Sequence, residues 1–281
     1  MSDATPPDVP PSSPVSAGAR PRIRVLHLYD QYLNIYADRG NIEVLRRRGA
    51  WRGIDVEVQG LAPGETFTTG EHDLIYVGGG QDRDQQMIAE RMSEDLGDSI
   101  KEAVLEGTAL LAVCGGYQLL GSSYLDTTGV LQPGVGLFDL ATEAGEDRLI
   151  GNVAITAELP AIGARAGTTT TIAGFENHAG RTRLGESARP LGAVVHGAGN
   201  DGESGFEGCR LHHAIGTYLH GPLLPRNPDL ADWLLAAALA HAHGIDAATL
   251  IDQVGSVPAP VAVLEQRARD ASVGRARAEK R

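Results

Sequence analysis

The most informative stretch of the sequence reads Leu110-Leu111-Ala112-Val113-Cys114-Gly115-Gly116-Tyr117-Gln118-Leu119-Leu120-Gly121. Its first four residues are all apolar, as in a strand that is covered on both faces of a sheet. A cysteine and two glycines follow directly, and an apolar segment that favours a helix comes next. In an α/β sheet this order places Cys114 on a sharp turn between the carboxyl end of a strand and a helix.

A cysteine on such a turn can act as a nucleophile. The field at a helix N-terminus favours the thiolate by about 0.3–2 kcal/mol, so a neighbouring imidazole must supply the rest of the activation. The alternative is a buried structural cysteine, which is the usual environment of this residue. A structural cysteine does not require the two glycines of a tight turn. Cys209 lacks that setting and is predicted to be structural.

Strand and helix patterns alternate on both sides of this stretch. The predicted strands are Ile23–Tyr29, Ile54–Val58, Asp73–Val77 and Ala109–Val113. The predicted helices are Asn41–Arg48, Asp84–Glu106, a helix beginning at Tyr117–Gly121, and Pro228–Ala242. This alternation indicates βαβ units, and therefore an α/β fold with a mainly parallel sheet flanked by helices.

After about residue 148 the sequence becomes rich in Thr, Val and Gly. The further predicted strands are Leu149–Ala157, Thr168–Phe175, Ala193–His196, Gly205–Leu211 and Ile215–Leu219. We expect several of them to be antiparallel additions at one side of the sheet. The prediction is one domain over residues 22–265. A disordered Pro/Ser-rich leader over 1–21 precedes it, and an Arg/Ala-rich tail over 266–281 extends a helix or frays.

Composition excludes several classes of protein. The net charge of −12 argues against a nucleic-acid binder that relies on phosphate contacts. No apolar run approaches the roughly 20 residues that span a bilayer, and the N-terminus does not resemble a secretory signal. We therefore expect a cytoplasmic protein without stable membrane insertion. The two cysteines cannot form a disulfide framework, and no metal-ligand motif occurs, so no metal site is expected.

The sequence has nine histidines, and two are candidates for the base that activates the cysteine. His220 ends a predicted strand, Gly216-Thr217-Tyr218-Leu219-His220-Gly221-Pro222, and a strand end delivers a side chain to the edge of the sheet where Cys114 emerges. His178, in Phe175-Glu176-Asn177-His178-Ala179-Gly180, is the second candidate. The pattern alone leaves the choice open.

The segment Cys114-Gly115-Gly116-Tyr117-Gln118 resembles the Cys-x-Gly-x-Gln nucleophile turn of triad-type glutamine amidotransferases. The segments around His178 and His220 resemble the later motifs of the cobyric acid synthase-like branch. Two further stretches, 29–41 and 76–82, are similar to those of the glutaminase subunits of bacterial lipid II isoglutaminyl synthases. The resemblance covers about residues 22–245 and implies a class I glutamine amidotransferase-like fold.

The resemblance also implies roles for individual residues. Cys114 corresponds to the nucleophile and His220 to the general base. Backbone N–H groups of Gly115 and of the Gly79-Gly80 turn correspond to the oxyanion hole.

Two side chains correspond to substrate-binding residues. Gln118 lines the glutamine pocket, and Arg148 occupies the place of an arginine that grips the substrate. The alternative for Arg148 is a solvated surface residue.

One position departs from the pattern. Many triad amidotransferases carry a glutamate two residues after the histidine, where it orients the imidazole, and Pro222 stands there in this chain. The missing carboxylate could come from Glu176, from Asp82 or from a partner chain.

The activity implied by the resemblance is hydrolysis of L-glutamine to glutamate and ammonia. Because the chain has no Gly-x-x-x-x-Gly-Lys-Ser/Thr loop, no cofactor is expected on it. ATP and Mg²⁺ are expected on a separate Mur-ligase-like synthetase, which forms a heterodimer with this chain and amidates the D-glutamate of lipid II in peptidoglycan synthesis. The alternatives are a glutaminase subunit that serves another acceptor, such as a cobyrinate-like acid, and a non-catalytic scaffold that only binds a partner.

Overall fold

The computed structural model describes residues 20–33, 39–80, 82–253 and 255–279, with backbone alone for 82–86. Apart from residues 20 and 21, the predicted leader lies outside the described residues. The described strands are β1 Arg22–Leu28, β2 Asp55–Leu61, β3 Leu74–Val77, β4 Ala109–Val113, β5 Ser123–Leu125, β6 Leu131–Pro133, β7 Leu140–Leu159, β8 Thr168–Leu184, β9 Gly192–His196, β10 Phe206–Glu207, β11 Cys209–Leu211 and β12 Ala214–Thr217. The described α-helices are α1 Arg39–Trp51, α2 Asp82–Arg91, α3 Gly97–Leu105, α4 Gly115–Leu119, α5 Pro228–His243, α6 Leu250–Gln253 and α7 Ala259–Ala278.

The first sheet has the strand order β11-β12-β4-β3-β1-β2. Its strands are parallel except β11, which pairs antiparallel with β12 at the edge. Every residue of the central strands β3 and β4 is buried, as their unbroken apolar sequences predict. The predicted α/β class with a mainly parallel sheet is confirmed.

Most of the added strands form a second sheet rather than one side of the first. Its order is β10-β9-β7-β5-β6, with β8 paired antiparallel to β7. Of the predicted additions, β12 joins the first sheet as a parallel strand and β11 is its antiparallel edge. The predicted strand Gly205–Leu211 divides at Gly208, whose φ of 65° breaks the extended backbone, so its two halves belong to different sheets.

Helices cover the parallel sheet. The predicted helix Asp84–Glu106 is present as α2 and α3, joined by a single π-helical turn over Met92–Leu96. Helix α5 is almost wholly buried and packs on α1, β1 and β4, which explains its apolar, alanine-rich sequence. No helix in the described part of the chain is both long and apolar enough to cross a membrane.

Helix α7 lies along β7 and β8 and runs through the predicted boundary between residues 265 and 266. Polar contacts hold its start, middle and end to the domain: Glu265 to Arg48, Arg269 to Asp229, and Glu279 to Asn152. Two small residues, Ser272 and Ala276, are buried on its inner face. The segment after 265 is therefore a packed helix as far as Ala278.

Candidate active site

Cys114 lies on the sharp turn that joins β4 to α4, where the sequence predicts it. Its backbone has φ 50° and ψ −108°, a conformation that costs a residue with a side chain of order 1–3 kcal/mol. The turn is held because the Cys114 N–H donates to the Thr217 carbonyl at 2.8 Å and the Gln118 N–H donates to the Cys114 carbonyl at 3.1 Å. Cys114 is 7% exposed.

Gly116 allows this turn to pack directly on the end of β3. A Cβ atom at this position would lie 2.7 Å from the Val77 side chain and from the carbonyl oxygens of Val77 and Gly78. Instead, the Gly116 N–H donates to the Gly78 carbonyl at 3.2 Å. The close packing brings the buried Gly79-Gly80 segment beside the nucleophile turn.

His220 reaches the same edge of the sheet from the neighbouring strand. Strand β12 runs parallel to β4, with Thr217 opposite Val113, and His220 follows three residues after Thr217. Its backbone exchanges two hydrogen bonds with Phe175, at 3.0 and 3.2 Å, and its ring packs edge-on against the Phe175 ring at a centroid distance of 5.9 Å. The structure therefore brings His220 and Cys114 to adjacent strand ends.

The environment of His220 favours the neutral imidazole. Burial lowers the pKa of His220 to about 4, and the positive charges of Arg226 and Arg148 act in the same direction. A neutral imidazole at pH 7 can accept a proton, which is what a general base requires.

His178 is also buried, but its ring is held by other contacts. It stacks on the Tyr218 ring at 3.6 Å between centroids and 6° between planes. Its Nδ1 lies 2.8 Å from the Gly180 carbonyl oxygen, and because a carbonyl only accepts, Nδ1 carries the proton. Burial lowers the pKa of His178 to about 3. These contacts favour a structural role for His178 and leave His220 as the better candidate for the base.

Arg148 is exposed but fixed in place. The register of the β7–β8 pair shifts between Ala144 and Leu149, so Arg148 leaves the ladder and reaches across to β8. There its Nε donates to the Asn177 side-chain oxygen and one Nη to the Asn177 carbonyl oxygen, both at 2.8 Å. Its positive charge helps to lower the pKa of both His178 and His220. Arg148 is therefore a positioned cation near the candidate site.

Gln118 lies on a buried chain of hydrogen bonds. Its Nε2 donates to the Tyr218 hydroxyl at 3.0 Å, and that hydroxyl lies 2.6 Å from the Thr182 hydroxyl, which lies 2.7 Å from that of Thr142. A Cβ atom at Gly180 would lie 2.4 Å from the Gln118 Nε2. Gln118, which the resemblance places in the glutamine pocket, is thus held by residues of β8 and of the turn after β12.

Glu207 is a residue that the sequence reasoning missed. It is fully buried and accepts hydrogen bonds from the Tyr218 N–H at 2.7 Å and from the Thr217 hydroxyl at 2.9 and 3.0 Å. A signal was available in the predicted strand Gly205–Leu211. Period-two alternation places Glu207 on the same face as the apolar Cys209, which indicates a buried acid.

Of the in-chain alternatives for the missing carboxylate, Glu176 is hydrogen-bonded to the loop that follows β9. Its two oxygens accept the N–H groups of Ala198 and Gly199 at 2.7 and 2.9 Å. The side chain of Asp82 lies outside the described residues.

A groove of about 430 Å³ opens beside His220. It is lined by Asn152, Phe175, His220, Gly221, Pro222, Arg226 and Arg275. Its two arginines come from the turn before α5 and from α7, so both elements contribute positive charge next to the imidazole.

Within the described part of the chain, no group of three or more His, Cys, Asp and Glu side chains is placed to hold a metal ion.

Comparison with known proteins gives consistent results. The profile of the CobB/CobQ-like glutamine amidotransferase domain matches residues 24–228. The chain is 38% identical, over 77% of its length and 84% of the relative's, to the lipid II isoglutaminyl synthase (glutamine-hydrolyzing) subunit GatD of Staphylococcus aureus (strain N315). It is 35% identical to the subunit of the same name from Streptococcus pneumoniae (strain ATCC BAA-255 / R6), over 80% and 84% of the two chains.

Among solved structures, one described as a glutamine amidotransferase superposes with a TM-score of 0.50 at 17% identity. The superposition covers 76% of this chain and 98% of that chain. At this identity the likeness concerns the fold alone.

Proposed function

Because the chain belongs to the CobB/CobQ-like glutamine amidotransferase family, we propose that it is the glutaminase subunit of an enzyme that amidates lipid II. One observation carries the proposal within the structure. The turn that bears Cys114 and the strand that leads to His220 are joined by the hydrogen bond from the Cys114 N–H to the Thr217 carbonyl. A strained cysteine turn beside a buried neutral histidine suits thiol-dependent hydrolysis of an amide.

The proposed chemistry proceeds in two steps. His220 takes the proton of the Cys114 thiol as the sulfur attacks the side-chain amide carbon of glutamine, and it then gives that proton to the departing ammonia, which leaves a thioester. Water, deprotonated by His220, then attacks the thioester and releases glutamate and the thiol.

The negatively charged oxygen of each tetrahedral intermediate needs hydrogen-bond donors. We assign this role to the Gly115 N–H and to one from the Gly79-Gly80 segment. One such donor typically contributes about 2.7–4 kcal/mol.

Arg148 is the proposed clamp on the substrate. Glutamine carries an α-carboxylate, and a guanidinium that is already oriented binds a carboxylate with little further loss of conformational freedom. The two hydrogen bonds to Asn177 provide that orientation. Gln118, held by the Tyr218 hydroxyl, lines the pocket next to the nucleophile.

The ammonia acceptor must be activated on another chain. The sequence contains no Gly-x-x-x-x-Gly-Lys-Ser/Thr loop, so we place ATP and Mg²⁺ on a separate Mur-ligase-like synthetase that forms a heterodimer with this subunit. The names of the two relatives, both subunits of lipid II isoglutaminyl synthases, support lipid II as the acceptor, and we place the new amide on its D-glutamate.

The test is co-purification of the tagged chain from its own cells, followed by incubation with amide-¹⁵N-labelled glutamine, ATP, Mg²⁺ and lipid II. We expect a synthetase to co-purify and ¹⁵N to appear in the lipid II stem peptide, and the Cys114→Ala variant to lose this transfer. Label in a cobyrinate-like acid instead would change the acceptor. If the active complex released no ammonia from glutamine, the scaffold alternative would replace the proposal.

A further inference from the structure

Glu207 lies beneath the turn that leads to His220 and has no role in the proposed chemistry. It belongs to the two-residue strand β10 of the second sheet, whereas its hydrogen-bond partners Thr217 and Tyr218 lie at the end of β12 in the first. Its carboxyl group is thus a polar connection between the two sheets at the level of the candidate site. Burying such a group in a core is costly unless its partners are well arranged.

The partners of Glu207 are the residues that hold the nucleophile turn. The Thr217 hydroxyl donates a hydrogen bond to Glu207, and the Thr217 carbonyl accepts one from the Cys114 N–H. The Thr217 hydroxyl oxygen also accepts the Leu219 N–H at 3.0 Å. The Glu207 side chain therefore holds Thr217, whose carbonyl is hydrogen-bonded to the Cys114 N–H.

Tyr218 extends the same connection to the rest of the site. Its N–H donates to Glu207 at 2.7 Å, its hydroxyl accepts the Gln118 amide at 3.0 Å, and its ring supports the stacked His178. His220 follows two residues later. Glu207 therefore bonds to two residues that hold other parts of the site. Thr217 accepts the Cys114 N–H, Tyr218 accepts the Gln118 amide, and both lie just before His220 in the chain.

Glu207 is itself rigidly held. The next residue, Gly208, exchanges hydrogen bonds with the buried Asn200 side chain at 2.8 and 3.1 Å. A Cβ atom at Gly208 would lie 2.6 Å from the Gly216 carbonyl oxygen, so the loop is pressed against β12. These contacts fix the backbone that carries the Glu207 side chain.

We propose that Glu207 is the positioning residue of the glutaminase site, fixing the Thr217–His220 turn so that Cys114, Gln118 and His220 are aligned without itself touching the substrate. This inference rests on the proposed function and adds to it a residue outside the cysteine and histidine motifs.

The protonation state of Glu207 indicates which substitution should preserve its role. Burial raises the pKa of Glu207 to about 8, although the hydrogen bonds from Tyr218 and Thr217 oppose the rise and the nearby Glu176 adds to it. The raised pKa favours the neutral form of Glu207, so its role does not require a negative charge. A glutamine side chain has the same shape, and its oxygen in the place of the Glu207 Oε1 can accept both the Tyr218 N–H and the Thr217 hydroxyl.

The test compares Glu207→Ala, Glu207→Gln and Thr217→Val in the full chain co-purified with its synthetase, with the exposed Glu158→Gln as the control. The readouts are kcat, KM and the rate at which iodoacetamide alkylates Cys114, followed by peptide mass spectrometry. We expect Glu207→Ala and Thr217→Val to lower kcat by about tenfold or more, which corresponds to about 1.4 kcal/mol of transition-state stabilisation, and to change the alkylation rate. Glu207→Gln should retain more than about a third of kcat, and the control should match the parent.

A folded Glu207→Ala with parental kcat and alkylation rate would overturn the proposal. If that variant does not fold, a folded Thr217→Val with parental kcat and alkylation rate would overturn the proposal instead. An equal loss in Glu207→Gln and Glu207→Ala would also overturn it, because the matching shape would then not matter. Alkylation requires no glutamine, so it reports on Glu207 even if the parent complex proves inactive as a glutaminase.

Discussion

The amide nitrogen of Cys114 lies 2.8 Å from the carbonyl oxygen of Thr217 and donates a hydrogen bond to it. This bond continues the ladder between the parallel strands β4 and β12 by one residue, so the nucleophile turn begins where the pairing ends. The strained backbone of Cys114 and the segment that carries His220 are consequently parts of one hydrogen-bonded unit.

The two cysteines should respond differently to replacement. Cys114→Ala should abolish glutamine hydrolysis while the protein stays folded, because the turn accepts a small side chain. Cys209→Ala should change kcat by less than about twofold, an effect under about 0.5 kcal/mol on the activation barrier. Burial raises the pKa of Cys209 to about 11, so it is a protonated thiol at neutral pH and a poor nucleophile. Steady-state kinetics with circular dichroism checks both, and similar losses in the two variants would contradict a single nucleophile.

The acid limb of the kcat/KM profile should reflect the lowered pKa of His220. Because that pKa is about 4 rather than 6.5, the imidazole is neutral above about pH 5, and activity should fall only as the pH drops through about 4. Arg226→Gln removes one of the positive charges that lower this pKa, so the limb should move to higher pH. The exposed Arg46→Gln serves as the control and should leave it in place. A limb near 6.5 in the parent, or no shift in Arg226→Gln, would contradict this assignment.

The same pKa shift has a consequence for stability. Between about pH 4 and 6.5 the unfolded chain binds a proton at His220 that the folded chain does not, so the free energy of unfolding should decrease as the pH falls through this range. The decrease should be smaller in His220→Asn, because asparagine does not titrate. Urea unfolding of the two proteins at pH 7 and pH 5 measures the difference. Equal pH dependence would contradict a histidine that is buried in its neutral form.

Arg148 should contribute to substrate binding more than to the chemical step. Arg148→Ala should raise KM for glutamine by about tenfold, since a charged hydrogen bond is worth about 1.5–3 kcal/mol, and should lower kcat much less. The exposed Arg183→Ala, on the neighbouring strand, is the matched control. An unchanged KM in Arg148→Ala would show that this arginine is only a surface residue.

A buried ion network should dominate the stability of the α1–α5–α7 packing. Asp232 accepts hydrogen bonds from Arg48 and Arg52 at 2.6–2.8 Å, and both arginines are buried or nearly so. Asp232→Ala would remove the carboxylate from Arg52 and leave Arg48 with Glu265 alone, and should cost about 3 kcal/mol. Glu43→Ala removes only an exposed pair within α1 and should leave the urea midpoint nearly unchanged. Equal midpoints for the two variants would contradict this ranking.

The sequence was sufficient for the features that depend on local pattern. The apolar run before Cys114 predicts a central strand, the two glycines predict the turn, and the spacing of apolar residues predicts α2, α3 and α5. The assignment of the later strands to a second sheet was not predictable, because strand pairing over many residues depends on contacts that are distant in sequence. The burial of Glu207 was predictable from its alternation with Cys209, but its partners were not, because Thr217 and Tyr218 lie at the end of a strand of the other sheet.

The last prediction concerns the carboxylate that Pro222 replaces. A serine protease that lacks the carboxylate orienting its histidine has a kcat lower by about 10⁴. The loss in a cysteine enzyme should be smaller, because its thiol ionises more readily. Glu176 is bound to two backbone N–H groups, whereas the groove beside His220 presents Arg226 and Arg275. A carboxylate entering this groove would meet two cations and the imidazole.

We therefore expect the synthetase to place an acidic side chain in this groove, so that ammonia is released chiefly when its consumer is present. The isolated chain should hydrolyse glutamine slowly, and adding the synthetase should raise kcat by at least about tenfold. Arg275→Ala should weaken that stimulation while leaving the slow basal rate of the isolated chain unchanged, because Arg275 belongs to α7 and lies outside the proposed catalytic set. Titration of the synthetase into the parent and variant chains, with ammonia release as the readout, measures both effects. Full activity in the isolated chain, or equal stimulation of the two proteins, would show that the acidic residue does not come from the partner through this groove.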